Sequence, residues 1–240
     1  MPQKGGSVIL GEGYKSDLDS GLKSLGLEPL YMPANPNIDP RLSFHSDLSV
    51  LHLGGSRLML APHLANSDFS RCLCALGVDL IYADIKQSAV YPADTQLNVC
   101  PVGDTLFYCK GISYEPVLPY FSGKRLLTVK QGYCGCSICP IDGHSIITAD
   151  RGIAIKARSV GLDVLLISPG YIELKGFDYG FIGGAAFKIS HDCMAFTGAI
   201  DAHPDSESIL TFLRERGIYP EFISKKPVFD IGCGIILTEK

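Results

Sequence analysis

A short pattern, in which glycine ends a helical stretch and an apolar run follows at once, recurs along the chain. It occurs at Gly26, Gly77, Gly161 and Gly217. Glycine just after a helix adopts the left-handed conformation that ends the helix at little cost. The apolar run that follows has the length of a buried strand. Four copies of this pattern predict a fold that is built from repeated units.

A second pattern, an apolar strand followed by a tight turn and another strand, precedes these helical stretches. We call the residue that opens each copy its anchor. The anchors are Ser49, Asn98, Ser137, Ala185 and Gly234. They stand about 40–50 residues apart, a period typical of propellers and arrays. Turns with glycine between apolar runs indicate hairpins. The two patterns together predict a five-bladed α/β propeller of ββαβ units with pseudo-fivefold symmetry.

The anchors also set the boundaries of the units within one predicted domain, residues 1–240. The opening strand stands alone before a helix, and the last strand has no helix after it, so we expect the two ends to form one composite unit. Pro116 and Pro119 favour a loop or short turn in the third unit, where no clear helix is seen. The predicted units are 1–40 closed by 228–240, 41–90, 91–131, 132–178 and 179–227.

Composition narrows the class of protein. Apolar residues make up 46% of the chain and charged residues 19%, which is typical of a compact globular protein. The net charge of −4 without a basic stripe favours neither nucleic acid nor an anionic membrane as a partner. The sequence shows no signal peptide and no apolar run near the ~20 residues of a membrane span. Nine cysteines then predict reduced thiols in the cytoplasm, and we expect a small-molecule ligand.

Equivalent positions in a ring of units lie at the same height around the axis. The residues four and two positions before each anchor, and the anchors themselves, share one strand face, because side chains alternate along a strand. Most of these residues are polar or small, and side chains that converge on the axis make a concave polar site. The predicted site residues are His45, Asp47, Asp94, Asn98 and Asp230.

The same alternation assigns the residue just before each anchor to the opposite, apolar face. Cys136 and Cys233 occupy that position, next to apolar residues such as Leu48 and Leu97 in other units. Cysteine buried among apolar groups has a raised pKa and is inert. A bulge at the start of the strand turns such a side chain toward the axis instead. Both orientations stay open at this point.

Several short motifs resemble the guanidino-group-modifying enzymes, which share the pentein fold and include arginine deiminases, dimethylarginine hydrolases and amidinotransferases. The five-unit layout matches along nearly the whole chain. More narrowly, the sequence looks like an uncharacterised bacterial family assigned to that fold. The motifs are HSD at 45–47, KQGY at 130–133, CS at 136–137, GFIGGA at 180–185 and FDIG at 229–232.

The resemblance implies hydrolysis or transfer of an amidino or guanidino group of a small amino-acid-like substrate, without a cofactor. A cysteine thiolate attacks the central carbon and a histidine handles the protons. Cys233 matches the nucleophile that these enzymes carry near the C-terminus, and Cys136 is the second candidate. His45 matches the histidine of the His-x-Asp motif, although in these enzymes the histidine comes late in the chain, shortly before the cysteine.

The same resemblance assigns substrate-binding roles to polar residues near the axis. Asp47 completes the His-x-Asp motif, and a carboxylate such as Asp94 or Asp230 accepts two parallel N–H bonds from a planar guanidinium. Asn98 belongs to the same polar face and is included as a binding residue.

Two other functions remain open. The first is non-catalytic binding on the same fold, as in the ribosome anti-association factors, since a fold does not decide a function. The second is metal binding by Cys134, Cys136, Cys139 and His144, whose Cys-x-Cys-x2-Cys-x4-His spacing supplies the four ligands of a tetrahedral site.

Overall fold

The computed structural model describes residues 6–237 of the 240-residue chain. Its strands form five sheets of three strands each. In every sheet the central strand pairs antiparallel with one neighbour and parallel with the other. This is the ββαβ arrangement that the repeats predict, and the predicted fold class is confirmed.

The three strands of each sheet come from one stretch of chain, except in the first sheet. The first sheet contains β1 (Ser7–Gly11), β2 (Glu28–Met32) and β15 (Ile235–Ile236). The second contains β3 (Val50–Gly54), β4 (Arg57–Leu60) and β5 (Asp79–Tyr82), and the third contains β6 (Cys100–Val102), β7 (Thr105–Tyr108) and β8 (Arg125–Thr128). The fourth contains β9 (Cys139–Pro140), β10 (Ser145–Thr148) and β11 (Asp163–Leu166), and the fifth contains β12 (Ala186–Ser190), β13 (Cys193–Phe196) and β14 (Tyr219–Phe222).

The first sheet joins the two ends of the chain. Strand β1 pairs in parallel with β2 and antiparallel with β15, with Val8 opposite Ile236 and Ile9 opposite Ile235. Val8 and Ile9 are fully buried, so the apolar opening strand is covered on both faces, as the central strand of a sheet requires. Residues 1–5 and 238–240 of the predicted composite unit lie outside the described residues.

Helices connect the central strand of a sheet to its parallel neighbour, and two further short helices lie just before β9 and β12. The α-helices are α1 (Lys15–Ser24), α2 (Asp68–Ala75), α3 (Cys134–Ser137), α4 (Arg151–Ser159), α5 (Ile182–Ala185) and α6 (Ser206–Arg214). In the third sheet the connection is a 3-10 helix, Glu115–Phe121, which has Pro119 inside it. Within the described part of the chain, every helix is too short or too polar to span a bilayer.

Helix starts and packing follow from local sequence. The Ser67 side chain accepts a hydrogen bond from the backbone N–H of Ser70 at the start of α2, and Asp150 accepts one from Ile153 at the start of α4. Such caps satisfy N–H groups that have no partner inside the helix. In α1, Leu18 is fully buried in a cluster that includes strand β1. Burying one such side chain contributes about 1.5–3 kcal/mol.

The segments just before the anchors are not extended strands. A 3-10 helix, Ser46–Leu48, precedes β3, and helices α3 and α5 precede β9 and β12. Strict alternation of side chains does not hold in such turns. Cys136 lies in the helical turn α3 and therefore not on an apolar strand face, the first of the two orientations that the sequence left open.

Candidate active site

Residues four positions before the anchors meet at one cavity of about 250 Å³. His45, Tyr133, Phe181 and Asp230 line this cavity, which we call the inner cavity. Asp94, the fifth equivalent residue, accepts a hydrogen bond from the Tyr133 hydroxyl at 2.5 Å. The structure thus gathers equivalent residues from all five units at one place.

His45 and Asp230 form a buried pair in the wall of the inner cavity. The Nε2 atom of His45 lies 3.4 Å from Oδ1 of Asp230, and both residues are almost completely inaccessible to solvent. The backbone N–H groups of Phe181 and Gly232 donate to the two Asp230 oxygens at 2.8 and 2.9 Å, which orients the carboxylate. The Tyr14 hydroxyl lies 3.2 Å from Nδ1 of His45. Both Asp230 oxygens and Nδ1 of His45 therefore have hydrogen-bond partners, whereas Nε2 is buried and has none among the described residues.

The charge of Asp230 decides the protonation of His45. Burial by itself lowers the pKa of His45, because a charged imidazolium loses its solvation. The Asp230 carboxylate, 3.4 Å from Nε2, and the negative charge of Asp47 outweigh this effect, so the pKa of His45 is raised above its ordinary value. The site favours the imidazolium, which is a proton donor.

Cys136 lies beside Asp47, in a turn that Asn98 holds. The thiol of Cys136 donates to Oδ2 of Asp47 at 2.7 Å. Asn98 accepts from the backbone N–H of Gly135 at 2.6 Å and of Cys136 at 3.4 Å, and its Nδ2 is 3.6 Å from the Cys136 sulfur. The backbone N–H of Asp47 donates to the Gly232 carbonyl at 3.0 Å. Cys136 also lines the inner cavity, together with His45 and Asp230.

Burial and negative charge keep the Cys136 thiol protonated. The pKa of Cys136 is raised well above its ordinary value, first by burial and then by the charges of Asp47 and Asp230. Burial also raises the pKa of Asp47, although the charge of His45 opposes this rise. The other Asp47 oxygen, Oδ1, is buried and has no hydrogen-bond partner among the described residues.

Asp94 and Asn98 contact residues that line the inner cavity. Burial raises the pKa of Asp94, and the hydrogen bond from Tyr133 opposes the rise. Neither Asp94 nor Asn98 lines the inner cavity; each reaches it through one neighbour, Tyr133 or Cys136.

Cys233 faces a different cavity. It has a left-handed backbone (φ 65°), and its sulfur is 3.4 Å from the Gly234 carbonyl oxygen. It lines a second, mainly apolar cavity of about 240 Å³ with residues such as Val50 and Ile138, and Asp47 lines this cavity too. Burial and then the charge of Asp47 raise the pKa of its thiol. The structure therefore separates the two candidate nucleophiles and brings only Cys136 into the inner cavity with His45.

The metal-binding hypothesis for Cys134, Cys136, Cys139 and His144 is wrong. Cys134 and Cys139 belong to two different buried hydrophobic clusters, while His144 is exposed. No group of three or more His, Cys, Asp or Glu side chains within residues 6–237 is arranged to hold a metal ion. The spacing misled because α3 turns Cys136 toward Asp47 and away from the other two cysteines.

Sequence reasoning missed the aromatic part of the site. Tyr133 and Phe181 lie four positions before their anchors, as His45 does. The repeat therefore contains a signal for them, but the prediction was limited to the polar residues at this position. Tyr14 lies just before α1, outside that register, and contacts His45 only in the folded chain. Phe177 and Tyr179 come from the loop between β11 and α5, which also lies outside the repeat.

Gly232 allows the close approach of the last unit to residues 45–47. Its φ is +69°, and a Cβ placed there meets His45 and lies 2.6 Å from Oδ1 of Asp47. We expect Gly232→Ala to lower the free energy of unfolding by about 3 kcal/mol, since both backbone strain and overpacking contribute. Gly217 has a similar φ of +66° with nothing within 4 Å of such a Cβ, so Gly217→Ala isolates the backbone cost of about 1 kcal/mol. If urea denaturation showed equal losses of free energy of unfolding for the two variants, the close approach of Gly232 to His45 and Asp47 would be contradicted.

A ring of five three-stranded sheets with a polar site near its axis defines the pentein fold, the fold of the guanidino-group-modifying enzymes. Residues 9–236 match the family described as "Family of unknown function (DUF6873)". Because the match covers nearly the whole chain, the protein belongs to this family. No curated protein sequence matches the chain at a significant level.

Solved structures of the same fold are similar over nearly their full length at low sequence identity. An amidinotransferase of saxitoxin biosynthesis from Microseira wollei has a TM-score of 0.59 at 12% identity, covering 98% of this chain and 95% of its own. DDAH from Pseudomonas aeruginosa, in complex with citrulline, has a TM-score of 0.56 at 8% identity, with 97% of each chain covered. The inosamine-phosphate amidinotransferase of Streptomyces griseus has a TM-score of 0.56 at 11% identity, covering 98% and 94%. These similarities establish the fold.

Proposed function

We propose that this protein binds a small cationic guanidino or amidino compound and hydrolyses or transfers its amidino group through Cys136. One observation carries the proposal: Cys136, whose thiol donates to Asp47 at 2.7 Å, lines the inner cavity together with His45 and Asp230. A sulfur nucleophile thus contacts a carboxylate that can take its proton, and it shares the cavity with an imidazolium that can donate one. The activities of the structural neighbours, amidinotransferases and arginine-modifying hydrolases, support the same chemistry.

The inner cavity suits a planar cation. Asp230 lies in its wall, and Asp47 lies next to the nucleophile with one buried oxygen that has no hydrogen-bond partner among the described residues. Carboxylates of this kind accept parallel N–H bonds from a guanidinium or amidinium. Tyr133, Phe181 and Phe177 supply aromatic walls, which attract cations through their ring faces.

The proposed reaction follows from these positions. A bound guanidinium offsets the charges that raise the pKa of Cys136, and the thiol proton passes to Asp47. The sulfur attacks the central carbon; a C–S bond forms, and one C–N bond breaks as the leaving amine takes a proton from the His45 imidazolium. The cysteine then carries a cationic amidino group. Water releases this group as a urea, or an amine accepts it as a new guanidinium, and the C–S bond breaks to restore the thiol.

Alkylation with 2-chloroacetamidine tests this proposal, because the reagent carries a cationic amidine next to its reactive carbon. The neutral 2-chloroacetamide is the matched control, and the exposed Cys72 and Cys74 serve as internal references. We expect the amidine reagent to modify Cys136 preferentially, with protection by guanidinium compounds, as mapped by peptide mass spectrometry. Modification confined to the exposed cysteines, or equal enrichment at Cys233, would refute the assignment.

A non-catalytic binder is the second candidate function, and one observation favours it. The raised pKa of Cys136 leaves the resting thiol protonated, which suits a binding site as well as a catalytic one. Calorimetry with alkylguanidines, followed by product analysis after long incubation, separates the two functions. Binding without release of urea, amine or a new guanidinium would establish the binder.

The raised pKa of Cys136 predicts how its alkylation depends on pH. With the neutral 2-chloroacetamide, the rate is expected to rise about tenfold per pH unit and to keep rising above pH ~8.5, the ordinary pKa of a cysteine. Asp47→Asn removes a negative charge beside the sulfur, so it is expected to lower the pKa of Cys136 and move the profile to lower pH. Asp192→Asn, an exposed change on the turn between β12 and β13, is the control. A plateau near pH 8.5 in the unaltered protein would contradict the raised pKa.

We also propose that the five units form a single domain and that the protein works in the cytoplasm. All nine cysteines are free thiols in the structure, which supports a reducing compartment.

A further inference from the structure

We infer that the chain has a second ligand site, in the apolar cavity that Cys233 lines, and that this site binds a small branched alkylammonium ion. We call this space the second cavity. The hydrocarbon part of the ion packs against the aliphatic wall, and its ammonium group contacts Asp47. The inference does not depend on the chemistry proposed at Cys136, because it concerns a different cavity and a different ligand.

The internal repeat builds the second cavity. The residue just after the anchor lines it in four of the five units, as Val50, Val99, Ile138 and Ile235. The inner cavity, by contrast, is lined by residues four positions before the anchors. Equivalent residues surround the axis at one height, so the two cavities lie at different heights along it. The second cavity is therefore a regular feature of the ring.

The wall of the second cavity is aliphatic. Val50 and Ile138 are almost fully buried, and Ile235 is half-buried. The volume of about 240 Å³ is smaller than that of pockets for drug-sized ligands. Transfer of a hydrocarbon chain from water to such a wall is favourable in proportion to the apolar area that is buried. The cavity therefore suits a small ligand with a compact, branched apolar part.

Asp47 supplies the polar contact of the second cavity. Among the described residues that line this cavity, Asp47 is the only acid and none is lysine or arginine. Its Oδ2 atom accepts from the Cys136 thiol at 2.7 Å, whereas Oδ1 is buried without a hydrogen-bond partner in the described part of the chain. A buried acceptor without a donor costs free energy. An N–H group of a ligand that reaches Oδ1 removes this cost.

The nearby histidines leave a negative charge uncompensated. His52 also lines the second cavity, but burial lowers its pKa and its Nδ1 accepts from the Gly54 N–H at 3.0 Å, so it stays neutral. His45 is an imidazolium of the inner cavity and lies 3.4 Å from Asp230. One imidazolium beside the two carboxylates, Asp47 and Asp230, leaves a net negative charge. This charge favours a cationic ligand over a neutral one and disfavours a carboxylate.

Three compounds with the same branched carbon skeleton test the inference. They are isopentylamine, isopentanol and isovalerate, which are cationic, neutral and anionic near neutral pH. Titrations of the unaltered protein are followed by methyl NMR, because Val99, Ile138 and Ile235 line only the second cavity, whereas Leu42 and Leu174 line the inner cavity. We expect saturable shifts at the methyl groups of the second cavity. Isopentylamine is expected to bind about fivefold more tightly than isopentanol, and isovalerate to bind most weakly.

Methylamine, which keeps the cation and lacks the branched chain, measures the contribution of the aliphatic wall. It is expected to bind at least about tenfold more weakly than isopentylamine, because it buries far less apolar area. Equal affinities of methylamine and isopentylamine would overturn the assignment of an alkylammonium ligand to this cavity.

Two variants assign the preference for a cation to its source. Asp47→Asn is expected to reduce the affinity ratio of isopentylamine to isopentanol to about one. Asp178→Asn changes an exposed acid that lines the inner cavity and is the matched control, with an unchanged ratio. A ratio that survives Asp47→Asn would overturn the inference.

The measurements on the unaltered protein decide the inference even if Asp47→Asn folds poorly. Equal binding of isopentylamine and isopentanol would overturn it, as would shifts confined to Leu42 and Leu174 or the absence of saturable shifts at the second cavity. The selective alkylation of Cys136 that tests the proposed function is a separate measurement, so either conclusion can fail without the other.

Discussion

Cys136→Ser is expected to reduce amidino transfer or hydrolysis by about 10³-fold or more, because a serine hydroxyl at this place is a far weaker nucleophile than a thiolate. The substitution keeps the size of the side chain and a donor toward Asp47, so the fold and the cation site remain. Turnover of alkylguanidines, measured as release of amine or urea, gives the rate. Calorimetry on the same variant shows whether the ligand still binds.

The matched control for this loss is Cys233→Ser. Cys233 lines the apolar cavity and is absent from the residues that line the inner cavity, so its replacement is expected to retain most of the turnover. The opposite result, with activity lost in Cys233→Ser and kept in Cys136→Ser, would assign the nucleophile to the C-terminal segment. Stability of both variants is compared by urea denaturation, to separate loss of chemistry from loss of fold.

Asp230→Asn is expected to lower the free energy of unfolding by about 3 kcal/mol, since one partner of a buried charged pair is removed. The Asp230 carboxylate accepts from Phe181 N–H and Gly232 N–H and lies 3.4 Å from His45 Nε2. An asparagine keeps one acceptor oxygen but turns an NH₂ group toward another donor. The lost acceptor then leaves a buried N–H group unpaired, which costs more than an ordinary hydrogen bond. Urea denaturation measures the loss.

The loss of stability in Asp230→Asn is expected to depend on pH. Because the folded-state pKa of His45 is raised, the pair stabilises the folded protein fully below the unfolded-state pKa of ~6.5, and this contribution disappears as the pH rises through the folded-state pKa. The difference in the free energy of unfolding between the unaltered protein and Asp230→Asn is therefore expected to be largest at acidic pH. NMR titration of His45 would show a lower pKa in the variant. A stability difference that grows toward alkaline pH would contradict the stabilising role of the His45–Asp230 pair. The exposed change Asp192→Asn is the control and is expected to show no such pH dependence.

Much of the fold follows from features that are local in sequence. Glycines such as Gly77 and Gly161 end helices with a positive φ, and the apolar run after each becomes the parallel strand of a sheet. These signals need only neighbouring residues, so the number of units and their order could be read directly. The prolines of the third unit predicted a loop or short turn, and the structure has a 3-10 helix, Glu115–Phe121, in place of an α-helix there, since proline removes backbone donors.

The residues that gather around the axis were also predictable in part. Equal spacing from the anchors places His45, Asp94 and Asp230 at one height, and the structure brings them to the same region, with Asp94 one contact away from the cavity. The aromatic members at equivalent positions, Tyr133 and Phe181, carry the same positional signal. The loop that supplies Asp178 and Tyr179 carries none, because it lies outside the repeat.

The sequence by itself determined the repeated units, their pairing at the two ends of the chain and the repeat position that faces the axis, since all three depend on periodicity and on short-range turns. Only the tertiary structure decided which cysteine meets the histidine. The direction of the Cys136 thiol depends on a helical turn whose N–H groups bind Asn98, 37 residues away in another unit, and on a carboxylate 89 residues away. Contacts of this kind exist only after the units have packed around the axis, so no local pattern records them.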